Sequence, residues 1–119
     1  MEVAVLDPPD GHVLARGSYY GGPDYEFVVA ADGHVEWRVV GDADGVWAGP
    51  DADSFRRIAA AWNRYRGDYR PGMPEAAERE FFARLRREFE GLGALPTDRP
   101  PDPEPLWSLL LFEAENGLG

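Results

Sequence analysis

The chain has 119 residues, 44% of them hydrophobic, a size that suits one domain with its own hydrophobic core. It contains no cysteine, which excludes disulfides, thiol catalysis and cysteine-based metal sites. Its 22 acidic and 12 basic residues give a formal net charge of −10, and every basic residue is arginine. An acidic surface repels phosphate backbones and attracts basic partners, so direct nucleic-acid binding is not expected and a basic protein partner is favoured.

The hydrophobic pattern changes at Pro50. Before it, apolar residues recur at every second position between glycine-rich turns, and after it they recur every three to four positions. Runs of strands followed by runs of helices are typical of the α+β class. We therefore predict a single domain over residues 1–119, with an antiparallel or mixed sheet of four or five strands followed by three helices packed on it. The strands fall within about 2–48 and the helices at about 51–69, 74–90 and 105–116.

The first two strands are predicted at residues 2–6 and 12–20, with Gly17 as a candidate bulge. Segments 25–31 and 34–40 then flank Asp32-Gly33, a pair typical of a two-residue type I′ hairpin. A fifth short strand is expected at 46–48.

The type I′ turn would fix which residues face each other in this hairpin. It places Phe27 opposite Arg38 and Tyr25 opposite Val40. One face of the hairpin is then nearly all apolar and is expected to face the core. It holds Val28, Ala30, Val35, Trp37 and Val39, with Glu26 near its end.

The second face of the predicted hairpin mixes aromatic and charged side chains. It holds Tyr25, Phe27, His34, Glu36 and Arg38. We expect a cation–π contact between Phe27 and Arg38 across the strands. The face is interpreted first as a solvated outer surface, or one partly covered by a helix, and alternatively as a docking surface.

The first helix is expected to begin at Asp51 or Asp53, both good N-cap residues. Its apolar stripe follows helical spacing, at Phe55, Ile58, Ala59, Trp62 and Tyr65. The second helix has Pro74 in its first turn and an exposed Glu80–Arg84 pair. Its predicted stripe is Ala77, Phe81, Phe82, Leu85 and Phe89.

Five prolines fall between positions 96 and 105, and we interpret this segment as a stiff strap over the same domain. The last helix, before Gly117 as its predicted C-cap, is apolar nearly all round and is expected to dock deeply. Its apolar residues are Leu106, Trp107, Leu109, Leu110, Leu111 and Phe112.

Catalytic and cofactor motifs are not found in the sequence. It has no nucleophile elbow, no common phosphate-binding loop and no cluster of metal ligands, so we predict no enzyme activity, no cofactor and no metal site. His12 and His34 are interpreted as turn or surface residues, and the acidic pair Asp42 and Asp44 as turn residues. No signal peptide or membrane-spanning segment is predicted, and a cytoplasmic location is expected.

Three segments together resemble the SUKH superfamily. Asp32-Gly33-His34-Val35 resembles its D-x-G-x-V strand turn, and Asp53-Ser54-Phe55 resembles its S-x-x-x-F helix start. Residues 105–110, followed by Glu113 and Gly117-Leu118, resemble the closing helix of the fourth SUKH group. The pattern predicts no helix ahead of the sheet of the kind that longer members carry, so a shortened member with another binding role is an alternative expectation. The resemblance implies a mixed sheet packed with helices, and an immunity protein that neutralises a bacterial polymorphic toxin.

The function predicted from this resemblance is that of a non-catalytic inhibitor. It would bind a basic, nucleic-acid-directed toxin domain in the cytoplasm through acidic loops and an exposed sheet face. The candidate partner-binding residues are Asp24, Tyr25, Glu26, Phe27, Glu36, Asp42 and Asp44, with Tyr25 and Phe27 as aromatic anchors. Two alternatives stay open: a regulatory or scaffold domain that binds another protein, and a small-molecule enzyme or ligand-binding domain.

Overall fold

The computed structural model describes residues 1–18, 24–96 and 105–116. Its elements are β1 (Ala4–Asp10), β2 (Val13–Ser18), β3 (Asp24–Val29), β4 (Val35–Val39), β5 (Val46–Gly49), α1 (Ala52–Asp68), α2 (Glu75–Gly91) and α3 (Leu106–Glu115). A five-stranded sheet followed by three helices confirms the predicted α+β class. Three predictions fall wholly or partly outside the described residues: the strand end at Tyr20, the proline-rich strap and the cap at Gly117.

The sheet is a meander in which every strand pairs antiparallel with the next one along the chain, in the order β1-β2-β3-β4-β5. Gly17 is not a bulge. It pairs with Tyr25, and the irregularity in β2 lies between Val13 and Ala15 instead. A Cβ at position 17 would collide with the Tyr25 phenol, so glycine is required where that ring crosses β2.

The turn between β3 and β4 differs from the predicted one. The Gly33 N–H donates to the Ala30 carbonyl at 2.9 Å, and the Ala30 N–H donates to the His34 carbonyl at 2.8 Å. The loop therefore has three residues, with Gly33 at a φ of 95°. The two-residue type I′ turn is wrong, and Phe27 lies opposite Trp37 while Tyr25 lies opposite Val39.

This one-residue change in register reverses the predicted face of β3, because side chains alternate across a strand. Tyr25 and Phe27 are 1% and 0% exposed and lie in the core. Val28 is also buried, but it pairs with Glu36 on the opposite face. The predicted Phe27–Arg38 contact is therefore wrong, and the Phe27 ring instead packs on Phe55, with centroids 4.9 Å apart.

The core centres on Trp107 of α3, which is fully buried. Its indole lies 6.2 Å from the Phe27 ring, 5.9 Å from Trp62 and 5.7 Å from Phe89, and so joins the sheet, α1 and α2. The indole N–H donates to the Ala48 carbonyl of β5 at 2.7 Å. A single side chain thus ties every layer of the fold together.

The predicted helix faces are confirmed in α1 and only partly in the other two helices. Phe55, Ile58, Ala59 and Trp62 are buried as expected, whereas Ala77 of α2 is exposed. In α3, Leu109 and Phe112 are 41% and 58% exposed, so this helix docks through one side rather than all round. The described helices include none that is long and apolar enough to cross a membrane.

Two local predictions for the helices are confirmed. The Asp51 carboxylate accepts a hydrogen bond from the Ser54 N–H at 2.7 Å and caps α1. Arg84 and Glu80 form an ion pair at 3.4 Å.

The first residues of the chain are held by side chains from distant elements. The Trp62 indole N–H donates to the Met1 carbonyl at 2.6 Å, and the Asn63 amide donates to the Val3 carbonyl at 2.9 Å. The Tyr25 hydroxyl donates to the Glu2 carbonyl. The residues directly before β1 are therefore anchored to α1 and β3.

Candidate functional site

The negative charge is concentrated in the strand half of the chain. Residues 1–49 contain nine acidic residues and two arginines, a net charge of −7. Residues 50–119 contain 13 acidic residues and ten arginines, a net charge of −3. Because the helix half balances most of its carboxylates with arginine, the strongest negative field is expected around the sheet and its loops.

Several of these carboxylates meet at one end of the sheet. The Val40 N–H donates to the Asp24 carbonyl at 3.0 Å, so the start of β3 lies beside the β4–β5 loop that carries Asp42 and Asp44. Glu2 and Glu26 line the same region together with Asp24. We call these five residues, Glu2, Asp24, Glu26, Asp42 and Asp44, the acidic end.

Three residues of the acidic end, Glu2, Asp24 and Glu26, line an open cleft of about 580 Å³. Its lining is Glu2, Ala4, Arg16, Gly17, Ser18, Asp24, Tyr25, Glu26 and Val40. The Ser18 hydroxyl donates to Asp24 at 2.7 Å, and Arg16 pairs with Asp10 at 2.8 Å. Val40, an apolar side chain that is 56% exposed, stands at the cleft. An exposed apolar residue beside carboxylates suits a protein contact with apolar and ionic parts.

A chain of charged side chains runs along the outer face of β4. His34 contacts Asp32 through Nδ1 and Glu36 through Nε2, the latter at 2.9 Å. Glu36 in turn accepts from Arg38 at 2.5 Å. We call Asp32, His34, Glu36 and Arg38 the β4 ladder.

The hydrogen bonds within the β4 ladder shift the pKa values of Asp32, His34 and Glu36. The hydrogen bond from Arg38 is the main reason that the pKa of Glu36 is lowered, and the His34 backbone N–H lowers the pKa of Asp32. Partial burial opposes protonation of His34, but the hydrogen bonds to Glu36 and Asp32 outweigh it, and the pKa of His34 is raised. Both carboxylates are therefore charged at neutral pH.

The ladder and the acidic end are in contact through Gly45. A Cβ at that position would come within 2.6 Å of a Glu36 carboxylate oxygen and 3.1 Å of the Arg38 Nε. The β4–β5 loop thus passes closely over the Glu36–Arg38 pair. This packing fixes the loop that presents Asp42 and Asp44 to solvent.

The seven candidate partner-binding residues divide into three groups. Asp24, Asp42 and Asp44 are exposed. Glu26, expected near the end of the core face, is half-buried on the outer face opposite Arg38, because the register differs by one residue. Glu36 is half-buried within the β4 ladder.

The third group is Tyr25 and Phe27, whose expected exposure as aromatic anchors is wrong. The three-residue loop turns both rings into the core. Sequence reasoning also missed Glu2 and Val40. Their place at the acidic end depends on strand pairing, and no local motif marks it.

Metal binding by the ladder is not favoured by its geometry. Asp32 and Glu36 contact opposite nitrogens of the His34 ring, so the three side chains do not converge on one point. Across residues 1–18, 24–96 and 105–116, no group of three metal-binding side chains is positioned to hold an ion. Comparisons of the chain with protein-family models, curated proteins and solved structures gave no match.

Proposed function

We propose that the chain is a non-catalytic protein-binding domain whose acidic end occupies a basic surface of a partner. The observation that carries this proposal is the placement of Asp24, Asp42 and Asp44. All three are exposed at one end of the sheet, and the ion pairs within the described part of the chain do not involve them. Carboxylates left unneutralised by arginine are available to a cationic partner.

The distribution of ion pairs gives a second line of support. Arg64, Arg79, Arg84 and Arg86 each pair with a glutamate of the helix half, which neutralises much of that surface. The acidic end differs, because the two arginines that flank Glu26 in the strand register, Arg16 and Arg38, pair with Asp10 and Glu36 instead. Electrostatic steering is therefore expected to orient a basic partner toward the end of the sheet.

The specific form of the proposal is a cytoplasmic immunity protein. The motifs that resemble the SUKH superfamily favour this form, because many of its members neutralise polymorphic toxins. A toxin that acts on nucleic acid tends to be basic, and an acidic inhibitor can compete for the surface that binds phosphates. Inhibition would then be steric and electrostatic, with no bond made or broken.

The proposal is tested by co-expressing the chain with the product of the neighbouring gene. We expect growth rescue and co-purification of the two proteins. Failure of both would contradict the immunity function. Capture of a basic partner without any toxicity to neutralise would support the binding function and reject the immunity form.

The role of the acidic end is tested with two variants of equal charge. The double change Asp42→Asn and Asp44→Asn removes two exposed carboxylates from the acidic end. The control, Asp68→Asn with Glu90→Gln, removes two exposed carboxylates from the helix half. We expect the first variant to associate several-fold more slowly at low salt and the control to associate nearly as fast as the wild type, with added salt reducing the difference. Equal association rates for the two variants would show that Asp42 and Asp44 of the acidic end do not steer the partner.

A further inference from the structure

The contacts of His34 in the β4 ladder depend on whether its imidazole ring is protonated. One imidazole ring contacts a carboxylate through each of its two nitrogens, Asp32 at Nδ1 and Glu36 at Nε2. A neutral imidazole carries one N–H donor, whereas an imidazolium carries two. Two charged carboxylates offer only acceptors, so both contacts can be hydrogen bonds at once only when the ring is protonated.

We propose that His34 is an imidazolium clasp that fastens the β3–β4 turn to the outer face of β4 and opens when the ring loses its proton. Asp32 lies in the loop and also accepts the His34 backbone N–H at 3.1 Å, while Glu36 lies inside β4. The ring therefore joins a loop residue to a strand residue. Loss of one proton leaves a single donor, and one of the two links is broken.

Because His34 and Glu36 are partly buried, the strength of their contact depends on the protonation of the His34 ring. Its side chain is 25% exposed and that of Glu36 is 19% exposed, so water screens their contact only in part. Arg38 donates to Oε1 of Glu36, whereas His34 contacts Oε2, and the hydrogen bond from Arg38 lowers the pKa of this carboxylate.

Within the part of the chain that the structure describes, the charged groups that act on the His34 ring are Asp32 and Glu36. The His12 carbonyl of the β1–β2 turn accepts the Val29 N–H, and Gly49 of β5 pairs with Val35. Asp32, Glu36 and Arg38 are therefore the charged groups that control the clasp.

The sign of the effect follows from the direction of the shift. A histidine whose pKa is raised on folding contributes stability that is complete below its unfolded pKa of about 6.5 and is lost as pH rises through the folded value. The clasp is therefore closed in mild acid and opens on the alkaline side of the ordinary histidine range. This behaviour does not depend on the proposed partner or on the acidic end.

The experiment is an NMR titration of the histidine rings, with His12→Gln used to assign the His34 signals. We expect the His34 midpoint to lie above about 6.5 and to fall in both Glu36→Gln and Asp32→Asn, because each change removes one charged acceptor. A midpoint at or below that value, or one that neither change lowers, would overturn the clasp.

A stability measurement separates the clasp from a merely structural role. The wild type and His34→Gln are unfolded with urea across the pH range, and His12→Gln serves as the matched control. We expect the stability difference between the wild type and His34→Gln to be largest in mild acid and to shrink as pH rises. A difference that is independent of pH would assign His34 to packing and reject the clasp.

Discussion

The two faces of the sheet are stabilised in different ways. The inner face holds Tyr25, Phe27 and Val35, each at most 1% exposed, against the helices. The outer face holds half-buried charged residues of the β4 ladder, whose contacts are ion pairs open to water. Burial of large apolar groups contributes several kcal/mol per side chain, whereas a partly exposed ion pair contributes about 1 kcal/mol or less. The inner face is therefore expected to contribute most of the stability of the sheet, and the ion pairs of the β4 ladder much less.

The largest expected effect is at the centre of the inner side. Trp107→Ala removes a fully buried indole that contacts the sheet, α1 and α2, and we expect a loss of about 3–5 kcal/mol in the free energy of unfolding. Urea unfolding followed by far-UV circular dichroism measures this loss. Trp107→Phe, which keeps a ring but loses the hydrogen bond to Ala48, is expected to lose less. A loss under about 1 kcal/mol in Trp107→Ala would show that the inner face is not the main source of stability.

The second-largest loss of stability is expected from a change at Gly17, which also lies on the inner face. Gly17→Ala places a methyl group against the Tyr25 ring, and overpacking of this kind costs about 1–3 kcal/mol. Gly67→Ala is the matched control, because its Cβ would meet open space near the end of α1. The control is expected to be neutral or stabilised by up to about 1 kcal/mol. Equal changes in the two melting curves would disprove the close approach of Tyr25 to β2.

The smallest effect is expected on the outer face. Arg38→Met removes the partner of Glu36 from a pair whose arginine side chain is 34% exposed, and we expect a loss of less than about 1 kcal/mol. At high salt, the difference in the free energy of unfolding between Arg38→Met and the wild type is expected to become smaller. If Arg38→Met cost as much as Trp107→Ala, the contrast between the two faces would be wrong.

The division into strands and helices was predictable from sequence because each element carries a clear period. The α1 stripe from Phe55 to Trp62 repeats at helical spacing, and Asp51 is a preferred N-cap directly before it. In α3 the pattern was less informative. Since nearly every residue there is apolar, periodicity did not reveal that Leu109 and Phe112 face outward.

The sequence pattern did not reveal which face of β3 lies in the core. Two residues of the candidate site, Tyr25 and Phe27, were therefore expected on the wrong face. Both faces of this strand carry apolar residues, Tyr25 and Phe27 on one and Val28 on the other, so alternation alone did not choose between them. The choice depended on whether the loop before His34 has two or three residues, and Asp32-Gly33 is compatible with either. The exposed positions of Asp42 and Asp44 were predicted correctly because they lie in a loop flanked by glycines.

The hydrogen bonds at the start of the chain have a consequence for biosynthesis. Trp62 and Asn63 hold the carbonyls of Met1 and Val3 across separations of 61 and 60 residues. A ribosome releases the amino terminus first, yet these anchors emerge only after all five strands have been made. Residues 1–3 therefore cannot make these two contacts until α1 has been synthesised.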